Sequence, residues 1–354
     1  MFFWKTPVRY CSFCDVKQRI KGKTETVKGK IDVKKLLITG VSGFVGHHFI
    51  DYLYNEGIET EICGIDLREP AYDLTKYKDR LLIDFRQVDL LDIESIREVF
   101  RKFVPDYILH LASFSSVAYS WQHPAESFVN NTNLFLNLLT VVGEFNKECR
   151  VLSVGSSEEY GNVTLEEVPI KEKLALKPTS PYAIARVSQE MLAKLYVDFF
   201  GYNIVMTRSF NHIGPWQDER FVVPSFIKRI REIKESGLAE GVIETGNISV
   251  VRDFIDVRDV VKAYYILLTK AKAGSIYNIC SGECITLSGL IDRIADMFGV
   301  NVKTKVNPDY VRPNDNSVTI GENFKIKHDF GWIPRIPLEK TLSDMIEEST
   351  PNDK

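Results

Sequence analysis

The stretch Lys35-Leu-Leu-Ile-Thr-Gly40-Val-Ser-Gly43-Phe-Val-Gly46-His-His-Phe-Ile50 constrains this chain more than any other. Leu36 to Ile38 form the short apolar run of a buried strand. Phe44, Val45, Phe49, Ile50 and Leu53 then recur at helical spacing. Gly40, Gly43 and Gly46 lie at the junction. In such a strand–turn–helix unit the first glycine permits a sharp turn, and the second lets a pyrophosphate approach the backbone. The third lets the helix pack close to the strand, while the free N–H groups of the first helical turn, Phe44 and Val45 included, face the phosphates. The spacing is G-x-x-G-x-x-G rather than G-x-G-x-x-G. Three glycines in a loop would be an ordinary turn; the flanking strand and helix favour a dinucleotide.

The totals exclude several classes. Lys and Arg number 45 against 48 Asp and Glu, a net charge of −3, so nothing points to nucleic acid or an anionic membrane surface. No apolar run has the length of a membrane span. Six cysteines in 354 residues do not make a disulfide scaffold and fit a reducing, cytoplasmic setting. Residues 1–31 stand apart, because Lys17 to Lys30 is lysine-rich and nearly free of core-forming side chains; a poorly ordered extension is expected there. Met1-Phe-Phe-Trp-Lys5 is too short an apolar run for a secretory signal. Cys11 and Cys14 form half of a zinc knuckle, but a second half of matching spacing is missing, and no metal site is expected.

From Val33 strands and helices alternate. Glu61–Ile65 reads as a strand ending at Asp66, Phe85–Val88 as one ending at Asp89, and Tyr107–Leu111, Arg150–Val154 and Asn203–Arg208 as three more. Helices are expected over Ile93–Phe103, Glu126–Phe145 and, from Pro181, to Phe200. The pattern predicts an α/β fold, a Rossmann-type doubly wound parallel sheet over residues 32–209. After about residue 209 the rhythm loosens. Asn211–Pro215 reads as loop, Arg252–Val257 and Ser275–Ile279 as strands, and Val222–Ile233, Val260–Leu268, Leu287–Phe298 and Leu338–Ile346 as helices. Residues 210–354 would form a smaller mixed α/β substrate-binding lobe, with some elements returning to the first domain.

Asp66 falls 20 residues after Gly46, at a strand end. A carboxylate there accepts both ribose hydroxyls of an adenosine and repels a 2′-phosphate, favouring NAD over NADP; Arg68, two residues on, is the type of residue that binds such a phosphate. Ser156 and Glu158 follow another strand, at the sheet edge where ligands of such folds bind. Tyr182 and Arg186 lie at i and i+4 on one helix and point to one side. A fixed cation beside a phenol favours its ionised form, which suits proton exchange with a sugar hydroxyl. The same spacing also suits a purely structural pair.

Further motifs follow in order: Asp89-Leu90, His110-Leu111-Ala112, Ser156-Ser-Glu-Glu-Tyr-Gly161, Ser180-Pro-Tyr182-Ala-Ile-Ala-Arg186, Arg208-Ser-Phe-Asn-His-Ile-Gly-Pro215 and Val251-Arg-Asp-Phe-Ile-Asp-Val257. With the glycine motif, this set resembles the extended short-chain dehydrogenase/reductase family of nucleotide-sugar enzymes. Within it, the branch of GDP-mannose 4,6-dehydratase and GDP-4-keto-6-deoxymannose reductase is the most similar, over roughly residues 34–346. The resemblance implies Tyr182 as acid/base, Ser156 holding the C4 oxygen, Ser115 touching the sugar, and Asn211 contacting sugar or diphosphate. It implies Arg252 and Arg312 on the diphosphate, Asp89 and Leu90 flanking the adenine, and Leu111 and Ala112 beside the cofactor. It also implies a homodimer or homotetramer through the helices near 124–145 and 181–200, where Phe128, Leu134, Phe135, Leu138 and Leu139 make the first helix apolar beyond one face. One position departs: the family pattern is Tyr-x-x-x-Lys, and this chain has Arg186.

Three readings follow from the resemblance. A 4,6-dehydratase needs a carboxylate for C5 and C6, and Glu158 matches its Thr-x-Glu triplet. A 4-keto reductase, C4 dehydrogenase or epimerase fits Asn211–Pro215 and Arg312-Pro-Asn-Asp315. A nucleotide-binding relative without turnover would carry Arg186 as its mark.

Overall fold

The computed structural model describes residues 34–311 and 316–348. The N-terminal extension, the Cys11/Cys14 pair and Arg312 lie outside the described residues. The chain begins β1 (Lys34–Thr39), α1 (Phe44–Asn55), β2 (Thr60–Asp66), β3 (Leu82–Gln87), α2 (Ile93–Lys102), β4 (Tyr107–His110). It continues α3 (Val117–Gln122), α4 (Pro124–Phe145), β5 (Arg150–Ser156), α5 (Pro181–Phe200), β6 (Asn203–Ser209), β7 (Asn211–Ile213). Then come α6 (Val222–Glu235), β8 (Glu240–Thr245), β9 (Val251–Arg252), β10 (Phe254–Asp256), α7 (Val257–Lys270), β11 (Ile276–Ile279). The last elements are β12 (Ile285–Thr286), α8 (Leu287–Phe298), β13 (Asn301–Val306), β14 (Val318–Thr319), α9 (Phe324–Phe330) and α10 (Leu338–Glu348).

Seven strands form one parallel sheet in the order β11-β6-β5-β4-β1-β2-β3. β1 has β2 on one side and β4 on the other, so the winding reverses there and a crevice opens beyond the carboxyl ends of these strands. Helices cover both faces, as near-continuous apolar strands require. On one face Phe49, Ile50 and Leu53 of α1 meet Val260, Tyr264 and Leu267 of α7. On the other, Ile96 and Phe100 of α2 pack with Phe135, Leu138 and Val142 of α4. Each large side chain fully buried this way contributes about 1.5–3 kcal/mol. A third core gathers Val223, Ile227 and Ile230 of α6, Leu290 and Ile294 of α8, and Leu342 and Met345 of α10. Among the described residues no helix is long and apolar enough to cross a membrane.

Several boundaries differ from the sequence expectation. β3 starts at Leu82 and ends at Gln87, before the expected Val88; as the sheet's edge it is half-exposed, and its apolar signal is diluted. Asn211–Ile213, expected as loop, is a strand paired in parallel with β10. The expected strand Arg252–Val257 divides at Asp253, whose buried carboxylate accepts N–H bonds from Ser281, Gly282 and Gly321 at 2.9, 3.0 and 3.1 Å. α3 and the parallel ribbon of β8 with β13 were not expected at all.

Candidate active site

The glycine turn has the form the sequence demands. Gly40 has φ +73°, and a Cβ there would stand 2.7 Å from the Ala112 nitrogen. A Cβ at Gly46 would stand 2.3 Å from the Val41 carbonyl oxygen. Gly43 is the N-cap of α1 and makes no side-chain cap bond, so the first helical N–H groups are left for a ligand. These features fit a dinucleotide pyrophosphate. At the crevice, Thr39 Oγ1 and His110 Nδ1 lie 2.8 Å apart, and Ala112 N–H donates to Thr39 Oγ1 at 3.3 Å. Burial pushes His110 down to about 3, with the Arg186 charge adding to the effect, so the imidazole is neutral.

Asp66 ends β2 half-buried; its carboxylate accepts from Ser42 N–H at 3.1 Å and Arg68 N–H at 3.4 Å. Arg68 is exposed. Asp89 accepts from Leu91 N–H at 2.8 Å, and Asn137 Nδ2 donates to the Leu90 carbonyl at 3.0 Å. Leu111 is half-buried just beyond β4.

Tyr182 and Arg186 lie side by side on α5. Pro181 at the first helical position and the Ser180 hydroxyl, which accepts from Ala183 N–H at 3.1 Å, fix where this helix begins. Arg186 Nε donates to the Tyr182 hydroxyl at 3.1 Å. Its Nη1 donates to the Val154 carbonyl at 3.0 Å and to Gln189 Oε1 at 2.8 Å, and its Nη2 donates to Ser113 Oγ. Four acceptors thus hold one guanidinium. Gln189 is held in turn, donating to Ser153 Oγ at 2.8 Å. The sequence reading missed Ser113 and Gln189. Gln189, one turn beyond Arg186, carried a signal only in being polar where α5 faces the sheet.

Ser156 ends β5 and caps the short helical turn Ser157–Tyr160, its hydroxyl accepting from Glu158 N–H at 3.2 Å. The two glutamates of this turn have opposite fates. Glu159 is fully buried and accepts from Ser156 N–H at 2.7 Å. Beneath it Arg208 donates to both oxygens of Glu190 at 2.8 Å. Burial, with the Glu190 charge adding to it, pushes Glu159 up to about 8. Glu158 faces a cleft that it lines with Ser180, Asn211 and Arg252, and its carboxylate has no hydrogen-bond partner among the described residues. Asn211 Nδ2 donates to the Asp253 carbonyl at 3.3 Å, and Arg252 Nη1 to the Asn316 carbonyl at 2.7 Å. Ser115 is exposed in the loop before α3 and is not among the side chains that line the cleft. Val117, Trp121, Thr179 and Asn316 line it without having been expected. Among the described residues no cluster could hold a metal ion.

Known proteins resemble this chain in sequence and fold. A family model described as GDP-mannose 4,6 dehydratase matches residues 37–345. The GDP-6-deoxy-D-mannose reductase of Pseudomonas aeruginosa is 30% identical over 315 residues, 89% of this chain and 97% of that protein. The GDP-mannose 4,6-dehydratase of Yersinia enterocolitica is 26% identical over 353 residues, 89% of this chain and 93% of that one. The solved structure of RMD from Pseudomonas aeruginosa, complexed with NADPH, matches with a TM-score of 0.75 at 29% identity, covering 89% of this chain and 97% of that one. Since the family match spans the glycine turn, Tyr182 and the cleft alike, the chain belongs to the GDP-mannose 4,6-dehydratase family of extended short-chain dehydrogenase/reductases, which are NAD(P)-dependent nucleotide-sugar dehydratases, reductases and epimerases.

Proposed function

We propose that this chain is an NAD-dependent 4,6-dehydratase acting on GDP-mannose or a closely related GDP-hexose. The observation that carries the reading is Glu158, an acid facing the cleft beside Ser156 with its oxygens free of other described groups. Ser156 holds the C4 oxygen, and Tyr182 takes the C4 hydroxyl proton while Arg186 balances the phenolate charge. NAD, when bound, supplies the acceptor for the C4 hydride and its return to C6. Glu158 removes the C5 proton, made acidic by the C4 ketone, and passes it to the C6 hydroxyl, which departs as water. As the hydride returns to C6, C5 regains a solvent-exchangeable proton in place of the one Tyr182 took from the C4 hydroxyl, so the net change is loss of water. Arg252, with Arg312, grips the diphosphate, for which a planar fork of donors is suited. Asn211, which lines the cleft, completes the sugar contacts, whereas Ser115 lies outside the lining. Asp66 selects NAD, with Asp89, Leu90, Leu111 and Ala112 around the adenosine and nicotinamide halves.

The test is incubation with GDP-mannose in heavy water. A 4-keto-6-deoxy product carrying deuterium at C5 supports the reading; no product and no exchange sinks it. A second reading, reduction of a GDP-4-keto-6-deoxy sugar, is favoured by Asn211–Pro215 and by the name of the 30% relative. Consumption of the 4-keto sugar with NADPH would establish it.

We place the enzyme in the cytoplasm as a homodimer or homotetramer. The support for assembly differs from the sequence expectation. Leu134, Phe135, Leu138 and Leu139 of α4 are spent inside the subunit core. The exposed large apolar side chains on the two helices are Phe128 and Val129 of α4 and Ile184, Met191, Leu195, Phe199 and Phe200 of α5. Ile184, Met191 and Leu195 recur at i, i+7 and i+11, one stripe along α5 that a second copy would cover.

A further inference from the structure

Glu158 and Arg252 line one cleft from different elements. Glu158 lies on the helical turn Ser157–Tyr160, and Arg252 ends β9. Asn316, in the same lining, is bonded toward both. Its backbone carbonyl accepts from Arg252 Nη1 at 2.7 Å. Its Nδ2 donates to the Gly161 carbonyl at 2.9 Å and to Thr319 Oγ1 at 3.2 Å. Gly161 closes the turn that carries Glu158, donating its N–H to the Glu158 carbonyl at 3.1 Å. That glycine is a firm anchor. Its φ is +64°, and a Cβ there would stand 1.6 Å from the Lys177 carbonyl oxygen, so backbone packs directly on backbone. The Arg252 end is tied as well, because β14 pairs with β9 and sets Thr319 opposite Arg252. One side-chain amide thus joins the turn that Ser156 caps and Glu158 occupies to the strand bearing Arg252.

We propose that Asn316 is a positioning residue that sets the spacing between the Ser156–Glu158 turn and Arg252 to suit one sugar nucleotide held by both. The proposal rests on the reading of that turn as the seat of the sugar chemistry and of Arg252 as a grip on the diphosphate. A sugar nucleotide carries its diphosphate and its reacting carbons at a separation fixed by covalent bonds. Gripping one end places the other correctly only where the protein groups that meet the two ends are held at a matching separation. An error of about 1 Å at the reacting atoms can cost about a hundredfold in rate. The two ends of the tie differ chemically. Gly161 is bonded by the side chain, which a substitution removes, whereas Arg252 is bonded by the main-chain carbonyl, which a substitution keeps. Loss of the amide therefore releases the turn while the guanidinium stays anchored.

The test is a split between binding and rate. Asn316→Ala should bind GDP as wild type does in calorimetry, which also reports that it is folded. Its C5 deuterium uptake from heavy water, at saturating GDP-mannose, should fall about ten- to a hundredfold. A cycle with Glu158→Gln shows what the tie acts on. Where the acid is already gone its placement no longer matters, so the two losses should be less than multiplicative. The proposal is overturned by wild-type uptake in Asn316→Ala, by a GDP affinity that falls as far as the rate, or by fully multiplicative losses in the double variant. Failure of the dehydratase reading looks different, because wild type itself then shows no C5 uptake. If it instead reduces a GDP-4-keto-6-deoxy sugar, kcat for that reduction becomes the readout. A loss of about ten- to a hundredfold in Asn316→Ala with GDP binding intact then supports the tie, acting through Ser156, and an unchanged kcat overturns it. Turnover of neither sugar overturns both.

Discussion

Arg186 donates its Nε–H to the Tyr182 hydroxyl at 3.1 Å while both side chains are almost wholly buried. The guanidinium therefore bonds the phenol directly, and its remaining donors are directed to Val154, Gln189 and Ser113.

Arg186→Lys should keep a cation near the phenol and retain measurable turnover, but one ammonium cannot reach all four acceptors. Leaving Gln189 and Ser113 without their donor should destabilise the fold by about 1–3 kcal/mol in urea unfolding. Arg186→Met should lose about a hundredfold or more in kcat. Equal stability of Arg186→Lys and wild type would show that Gln189 and Ser113 do not depend on the fork for their hydrogen bonds.

Glu158→Gln preserves shape and removes the acid. We expect C5 deuterium uptake from heavy water to fall by about a hundred- to ten-thousand-fold, the usual contribution of a general acid/base. Tyr182→Phe should abolish the same exchange, because no C4 ketone forms. Wild-type rates in Glu158→Gln would transfer the role to another group.

Glu159 gives a pH dependence whose sign is fixed by its surroundings. Its folded value lies near 8, above the ordinary carboxylate value of about 4.5. Between these values the folded state binds more protons than the unfolded state, so stability falls as pH rises through this window. Glu159→Gln cannot ionise beside Glu190. It should gain stability over wild type at pH 8 relative to pH 4.5, measured as the difference in urea midpoints. A constant difference across the window would refute the assignment.

Asp66→Ala should weaken NAD more than NADP in calorimetry, since the lost carboxylate serves only a free 2′-hydroxyl. If wild type binds NADP as tightly as NAD, the exposed Arg68 has taken the 2′-phosphate and the recycling of bound NAD loses its support.

Met191→Arg, placed in the middle of the α5 stripe, should yield monomers by light scattering at micromolar concentration. The side chain is 59% exposed within the subunit, so the fold itself should survive.

The sheet was legible where local and global demands agreed. The run Leu36–Ile38 with its glycines could be little else, and Pro181 marked the start of α5 because a proline ring suits a first helical position. Legibility failed where the deciding partner lies far along the chain. Gln189 and Ser113 gain meaning only from one guanidinium that both touch. Glu158 and Glu159 look alike in sequence, and only the approach of Arg208 and Glu190 from other elements makes one a buried acid and the other a cleft wall. The β8–β13 ribbon was hidden because Asn301–Val306 is largely solvent-facing and alternates lysine with small residues, so its apolar period is faint.

β11 lies in the half of the chain that carries Asn211 and Arg252, yet it hydrogen-bonds along β6 and closes one edge of the main sheet. α7, from the same half, covers α1. Recombination near residue 209 would thus sever a sheet from its edge strand and a helix layer from its partner. A gene encoding this chain cannot readily gain a new sugar by exchanging its C-terminal half as a cassette. Its descendants must diversify by changing single side chains around an inherited scaffold.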